Sequence, residues 1–316
     1  MVARGNVVSI GQIAPKHSSE VSFSVDPVSW EIGSLLQRGM LLEVATSNKP
    51  GLVCPQSNGC HEDMSLMTFM VSSSVIFPAL VMCTQAGRDH EGDLPLLLPV
   101  VRGIGAPYEK ELFAATKGVN TQKGALFSAA ILAGAAGYLS QKSRHFQIGE
   151  LFEVVAAMTK GIVRRELNPS VLEKKESLSN GEKLYLRHQV PGIRGELERG
   201  LPSVRDYAVP ALKYAQDLGA SLEASFLHTL ITLMSQVDDT NIISRGGLES
   251  LKKVKTLSKE VLKEGSIFNK EGIDNYFYLE NFCIDRGLSP GGSADLLAIT
   301  ISAYLLSEEK FKCKIM

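Results

Sequence analysis

The segment Ser289-Pro290-Gly291-Gly292-Ser293-Ala294-Asp295 runs straight into an apolar stretch, 296–306, that reads as a buried helix. Glycines let a ligand approach the main chain, and a helix start offers free N–H groups with partial positive charge. Ser289, Gly291, Gly292 and Ser293 therefore suit a phosphate cradle. The plainer reading is a helix capped by Ser289 or Ser293, with Asp295 in its first turn. Four further segments, 49–63, 117–124, 192–196 and 238–247, also mix glycine with charged or amide side chains. Lys49, Lys123, Arg194 and Arg245 supply anion contacts. Lysine serves as a compact charge, and arginine, flanked by Gly192 and Gly195 in one case, as a planar fork. Asn120 and Thr121 can cap the helix that Lys123 enters. Asp238, Asp239 and Asp295 are candidate metal or base groups, with Asp238 and Asp239 beside Asn241 suited to Mg²⁺. His61 and Asp63 flank a turn and can share a metal or act as proton acceptor and orienting partner. Asp63 is equally well read as an N-cap. The inventory fits a helical enzyme that handles a magnesium polyphosphate. Segment 118–124 lacks P-loop spacing and a preceding strand, so that motif is rejected.

These loops need a scaffold. The chain has 316 residues, 44% hydrophobic and 21% charged, with net charge −1. That is a soluble globular composition with no basic field for nucleic acid or an anionic membrane. The five cysteines form no zinc-type spacing, and no signal core opens the chain, which fits a reduced, cytoplasmic protein. Two long uncharged stretches, 65–87 and 124–141, read as central helices of a helical protein rather than membrane spans.

Residues 1–25 lack helical periodicity and read as a flexible arm, leaving 26–316 as one all-helical catalytic domain. Asp26-Pro27 predicts an N-cap and first helical position for a helix ending near Thr46. Further helices are expected at about 64–86, 107–116, 122–142, 148–166, 203–217, 220–237, 246–264, 270–286 and 293–307. No convincing strand pattern occurs. The expected fold is all-α: a single compact multi-helix domain whose inter-helix loops carry the function.

The same loops resemble the triphosphoribosyl-dephospho-CoA synthase family, which serves citrate lyase and malonate decarboxylase. The resemblance rests on Glu43 with Lys49-Pro50-Gly51-Leu52-Val53, Asn58-Gly59-Cys60-His61-Glu62-Asp63-Met64, segment 115–125, Gly192-Ile193-Arg194-Gly195-Glu196, Asp239-Thr240-Asn241 with Arg245-Gly246-Gly247, and segment 289–298. It spans residues 35–306 in consistent order. Cys54-Pro55, Lys117 and Gln122 stand where the family usually has Asp-Arg, Gly and His.

The resemblance implies an all-helical enzyme joining ATP and 3′-dephospho-CoA. Adenine is released, and a 5-triphosphoribosyl group is left on the acceptor's ribose 2′-hydroxyl. The product, a prosthetic-group precursor, passes to an acyl carrier protein transferase. A homodimer is one arrangement open to such a protein. Asp239, Glu43 or Asp63 would take the 2′-hydroxyl proton, and Asp295 or His61 would serve the leaving adenine. Rival readings are an ATP-dependent small-molecule kinase and an inactive nucleotide-binding partner protein.

Overall fold

A computed structural model describes residues 25–307 and Phe311; the expected arm, apart from Val25, lies outside the described residues. Fourteen α-helices follow one another: α1 (Pro27–Ala45), α2 (Leu66–Arg88), α3 (Leu97–Ala115), α4 (Lys123–Ser140), α5 (Ile148–Thr159), α6 (Ile162–Glu166) and α7 (Pro169–Leu172), then α8 (Asn180–His188), α9 (Gly192–Glu198), α10 (Val209–Asp217), α11 (Leu222–Gln236), α12 (Thr240–Lys263), α13 (Lys270–Asp285) and α14 (Gly291–Leu306). Among the described residues there is no strand, only an isolated bridge between Cys54 and Ser57. The all-α expectation holds.

Local signals set many of the boundaries. Asp26 caps α1 by accepting the Ser29 amide at 2.7 Å, with Pro27 in the first turn. Asp239 caps α12, so that helix starts six residues before the expected position, and Gly247 (φ 75°, ψ −178°) kinks it from within. Segment 192–196, expected as a loop, instead opens α9. The α3 helix starts ten residues earlier than expected. It contains Gly103, Gly105 and Pro107, yet Leu97, Leu98, Val101 and Leu112 bury one face and hold the turns together. Gly161 (φ 77°) splits the expected 148–166 helix into α5 and α6. The α8 helix, capped by Ser179, falls where no element was expected.

Two helices form the spine. Most residues of α14 are buried, with α1, α4 and α11 packed around it, and α4 is likewise enclosed by α2, α3 and α5. Of the two long apolar stretches, α4 matches the expected central helix. The other, α2, packs on α1, α3 and α4 but keeps Met67, Val71 and Met82 exposed. By length and composition α2 could cross a membrane, which a single helix of this kind shows only weakly.

Small residues let α2 and α4 approach closely. A Cβ built on Gly137 would lie 2.1 Å from the Thr84 carbonyl oxygen, and one on Gly87 would lie 2.0 Å from that of Gly134. Backbone cannot yield as a side-chain tip can, so the helices would have to separate. Gly137→Ala is expected to destabilise the protein by about 1–3 kcal/mol, read as a Tm several degrees lower in thermal melts. An unchanged Tm would contradict this packing.

Candidate active site

The loops converge. A cleft of about 840 Å³ is bordered by the ends of α1, α4, α9, α12 and α14 together with the 49–64 and 286–290 connections. Lys49, Lys123, Arg194, Asp239 and Asp295 all border it, as do Glu43, His61, Asn120, Thr121, Asp238, Arg245, Ser289, Gly291 and Gly292. Two predicted residues do not. Asp63 sits exposed beside His61, where Ser65 rather than Asp63 occupies the N-cap of α2. Ser293 lies inside α14, buried behind the cleft wall, so it is not the expected helix cap; Pro290 holds that position.

Three acidic side chains meet at the cleft floor in different circumstances. Glu43 ends α1 and is buried; the Lys49 ammonium donates to its Oε1 at 2.5 Å and to its backbone carbonyl at 2.7 Å. Burial raises the Glu43 pKa, and Lys49 opposes that rise. Asp239 is 1% exposed and spans two helix starts. Its Oδ1 accepts the amides of Asn241 (2.9 Å) and Ile242 (3.4 Å), and its Oδ2 accepts the Ser293 amide (2.7 Å) and hydroxyl (2.9 Å). Burial raises its pKa against these four bonds. The anion seated at the start of α14 is thus this carboxylate, occupying part of the expected phosphate cradle.

Asp295 differs. It faces the cleft with neither a hydrogen bond nor an ion pair among the described residues, and a Cβ on Gly124 would lie 2.1 Å from its Oδ2. Burial raises its pKa well above the aspartate range, and the neighbouring Glu43 and Asp239 raise it further. A carboxyl so placed holds its proton to higher pH than an ordinary aspartate.

The other predicted cations have partners. Arg194 donates from Nε to Glu166 Oε2 at 2.8 Å, and Arg102 grips the same carboxylate. Lys123 pairs with Glu109 at 2.6 Å. Arg245 donates to the carbonyls of Cys60 (3.2 Å) and Gly287 (3.0 Å), tying the 49–64 loop to the α13–α14 turn. Its Nη2 also lies 3.3 Å from His61 Nδ1. A guanidinium can only donate, so Nδ1 accepts and the opposite nitrogen carries the proton toward Ser289 Oγ, 2.8 Å away. Burial first, and Arg245 second, lower the His61 pKa. Thr121 Oγ1 is buried beside the cleft and has no hydrogen-bond partner among the described residues.

No group of three or more His, Cys, Asp or Glu among the described residues could hold a metal ion. Asp238 pairs with Lys255 at the exposed rim, whereas Asp239 is saturated by its four donors. Sequence reading did not find Glu166, Arg102 or Glu109, whose only signal is their distance-spanning pairing with the cations. Of the positions that differ from the usual family pattern, Gln122 borders the cleft and accepts the hydroxyls of Ser72 and Ser73. Cys54 is buried away from it, and Lys117 is exposed.

Comparison with known proteins gives consistent matches. The profile of the family described as ATP:dephospho-CoA triphosphoribosyl transferase matches residues 29–313. The 2-(5''-triphosphoribosyl)-3'-dephosphocoenzyme-A synthase of Klebsiella pneumoniae is 37% identical over 284 residues, 89% of this chain and 93% of that protein. A probable enzyme of the same name from Pectobacterium carotovorum subsp. carotovorum is 39% identical over 276 residues, 87% of this chain and 88% of its own. Protein CitXG of Leuconostoc mesenteroides subsp. cremoris is 37% identical over 83% of this chain, which spans only 56% of that longer relative. No solved structure matches.

The lone acid has a thermodynamic signature. An unfolded aspartate releases its proton near 3.8, whereas folded Asp295 holds it to well above that value. Between the two the folded chain binds the extra proton, so stability falls as pH rises. Asp295→Asn removes this cost, about 1.4 kcal/mol per unit of elevation. The variant is expected to melt above the parent, by a margin that is wider at pH 8 than at pH 5. A margin independent of pH would contradict the assignment.

Proposed function

Because the chain belongs to the ATP:dephospho-CoA triphosphoribosyl transferase family, we propose that this cleft joins the 5-triphosphoribosyl group of ATP to the ribose 2′-hydroxyl of 3′-dephospho-CoA and releases adenine. The observation that carries the reading at the level of residues is the presence of two cleft-floor carboxyls in unlike environments, buried Glu43 with a cation and half-buried Asp295 without one. In the reaction the bond from ATP C1′ to adenine breaks, positive charge develops at C1′, and the acceptor oxygen bonds there. Two proton transfers accompany it, as in glycoside cleavage. Asp295 gives its proton to the departing adenine. Glu43 takes the proton of the 2′-hydroxyl. Its Oε1 is engaged by Lys49, and its burial-raised pKa brings it nearer the working pH, where a general base is most effective.

Binding falls to the cleft wall. Lys123, Arg194 and the unpartnered Thr121 hydroxyl contact phosphate oxygens, with Asn120 shaping the turn that presents them. Lys123 and Arg194 need only exchange Glu109 and Glu166 for phosphate. His61, Arg245 and Ser289 position the rim rather than react. Asp239 fixes the spacing of α12 and α14 that brings Asp295 into place. Mg²⁺ is compatible with this residue set when carried mainly by the triphosphate, its usual mode. Asp238 is the available protein ligand, because its surface pair with Lys255 costs little to break. Bound there, the ion would neutralise phosphate charge. Holding both nucleotides in one cleft supplies much of the remaining rate. The free cysteines 54, 60, 83 and 283 suit a cytoplasmic enzyme whose product goes on to an acyl carrier protein transferase.

Purified protein incubated with ATP, Mg²⁺ and dephospho-CoA is expected to release free adenine, read by chromatography. ADP would instead indicate a kinase, and ATP binding with neither product a non-catalytic partner. The rate should be bell-shaped in pH, falling as Glu43 gains a proton and as Asp295 loses one. Asp295→Asn is expected to cut turnover at least ~100-fold and Glu43→Gln comparably. Near-parental turnover in either variant removes that residue from its role.

A further inference from the structure

A second cavity, of about 440 Å³, adjoins the cleft and has a different lining. Its walls come from α3, α4 and the start of α9, with apolar side chains such as Val101, Leu126, Phe127 and Ile131. It shares Lys123, Gly124, Ile193 and Arg194 with the main cleft, so these residues form the ridge between the two. The ridge is cationic. Arg102 and Arg194 both lie over the Phe127 ring, at 5.2 and 5.9 Å, and both are held by Glu166. Asp295 stands at the same ridge on the cleft side, its carboxyl against Gly124.

A polar cleft, a cationic ridge and an apolar groove in that order match one of the two substrates. Dephospho-CoA is a nucleoside joined through a pyrophosphate to an uncharged pantetheine arm bearing a gem-dimethyl group. Its ribose has to reach the carboxyls, which sets its pyrophosphate at the ridge and its arm beyond. ATP ends in its triphosphate and has no arm to place beyond its phosphates. We infer that the groove between α3 and α4 is the subsite for the pantetheine arm, with Lys123, Arg102 and Arg194 receiving the pyrophosphate. The inference rests on the acceptor assigned above and deepens it. Apolar enclosure with a few fixed polar groups at one end is the ordinary construction of such a subsite.

Two glycines of α3 make the test clean. Gly105 lines the groove and Gly103 does not. A Cβ at either meets nothing within 4 Å, and neither has a positive φ, so a substitution at either starts without backbone strain or a Cβ clash. Gly105→Phe fills the groove, and Gly103→Phe is its control. With adenine release as the readout, Gly105→Phe is expected to raise the KM for dephospho-CoA about tenfold or more, leaving the KM for ATP within about twofold. Gly103→Phe should change neither. A parental KM for dephospho-CoA in Gly105→Phe overturns the subsite, as does a fall in kcat alone. A rise confined to the KM for ATP also overturns it, by assigning the groove to the ATP base. Absence of adenine with the parent protein would instead refute the proposed reaction itself, which is a separate outcome.

Discussion

Three acidic side chains meet at the floor of one cleft, Glu43 and Asp239 buried and Asp295 half-buried, and the protein provides counter-groups for the first two. Glu43 has Lys49; Asp239 has the first amides of α12 and the Ser293 amide and hydroxyl of α14. Asp295 has nothing but its neighbours' negative charge. Removing an unpaired charge from water costs far more than keeping a proton, so the third carboxyl is the one driven toward its neutral form. In the mechanism we propose, the acid is made by withholding a partner rather than by adding one, a requirement met at some cost to folding.

The helices are arranged around this requirement. The apolar length of α14 buries it among α1, α4 and α11, fixing where its first turn lies. Asp239 then bonds that first turn to the start of α12, so two connections far apart in sequence share one anchor. Gly124 leaves the space that the Asp295 carboxyl occupies. Arg245 ties the 49–64 loop across the α13–α14 turn through two backbone carbonyls. The cleft is therefore a product of helix ends held in register, with little reliance on loop flexibility.

Much of this was legible in the sequence. Cap signals and apolar periodicity gave the helical class, and glycine-rich turns carrying charge marked five segments that border the cleft, although 178–181 and 199–207, which also line it, carried no such mark. Local signals failed where long-range partners decide. Arg194, flanked by glycines, reads as an exposed fork, yet its helix and its pairing with Glu166 are set by tertiary packing. Lys49 reads as an anion contact, but Glu43 lies one helix end away and claims it. Asp239 and Asp295 look alike as acidic residues near turns. Only the fold shows that four donors converge on one and none on the other. Ser293 carries a cap-like signature because it does bond an acid at a helix start, although that acid lies on another helix.

The central claim is that Asp295 in the folded protein holds its proton well above the ordinary aspartate range, and carboxyl-carbon NMR of protein labelled with ¹³C at aspartate observes this directly. Two resonances are expected to titrate above the ordinary aspartate range, one of which vanishes in Asp295→Asn while that of Asp239 remains. If every aspartate instead ionises near its unperturbed value, or both elevated resonances survive the substitution, Asp295 holds no unusual proton and the assignment of acid and base falls.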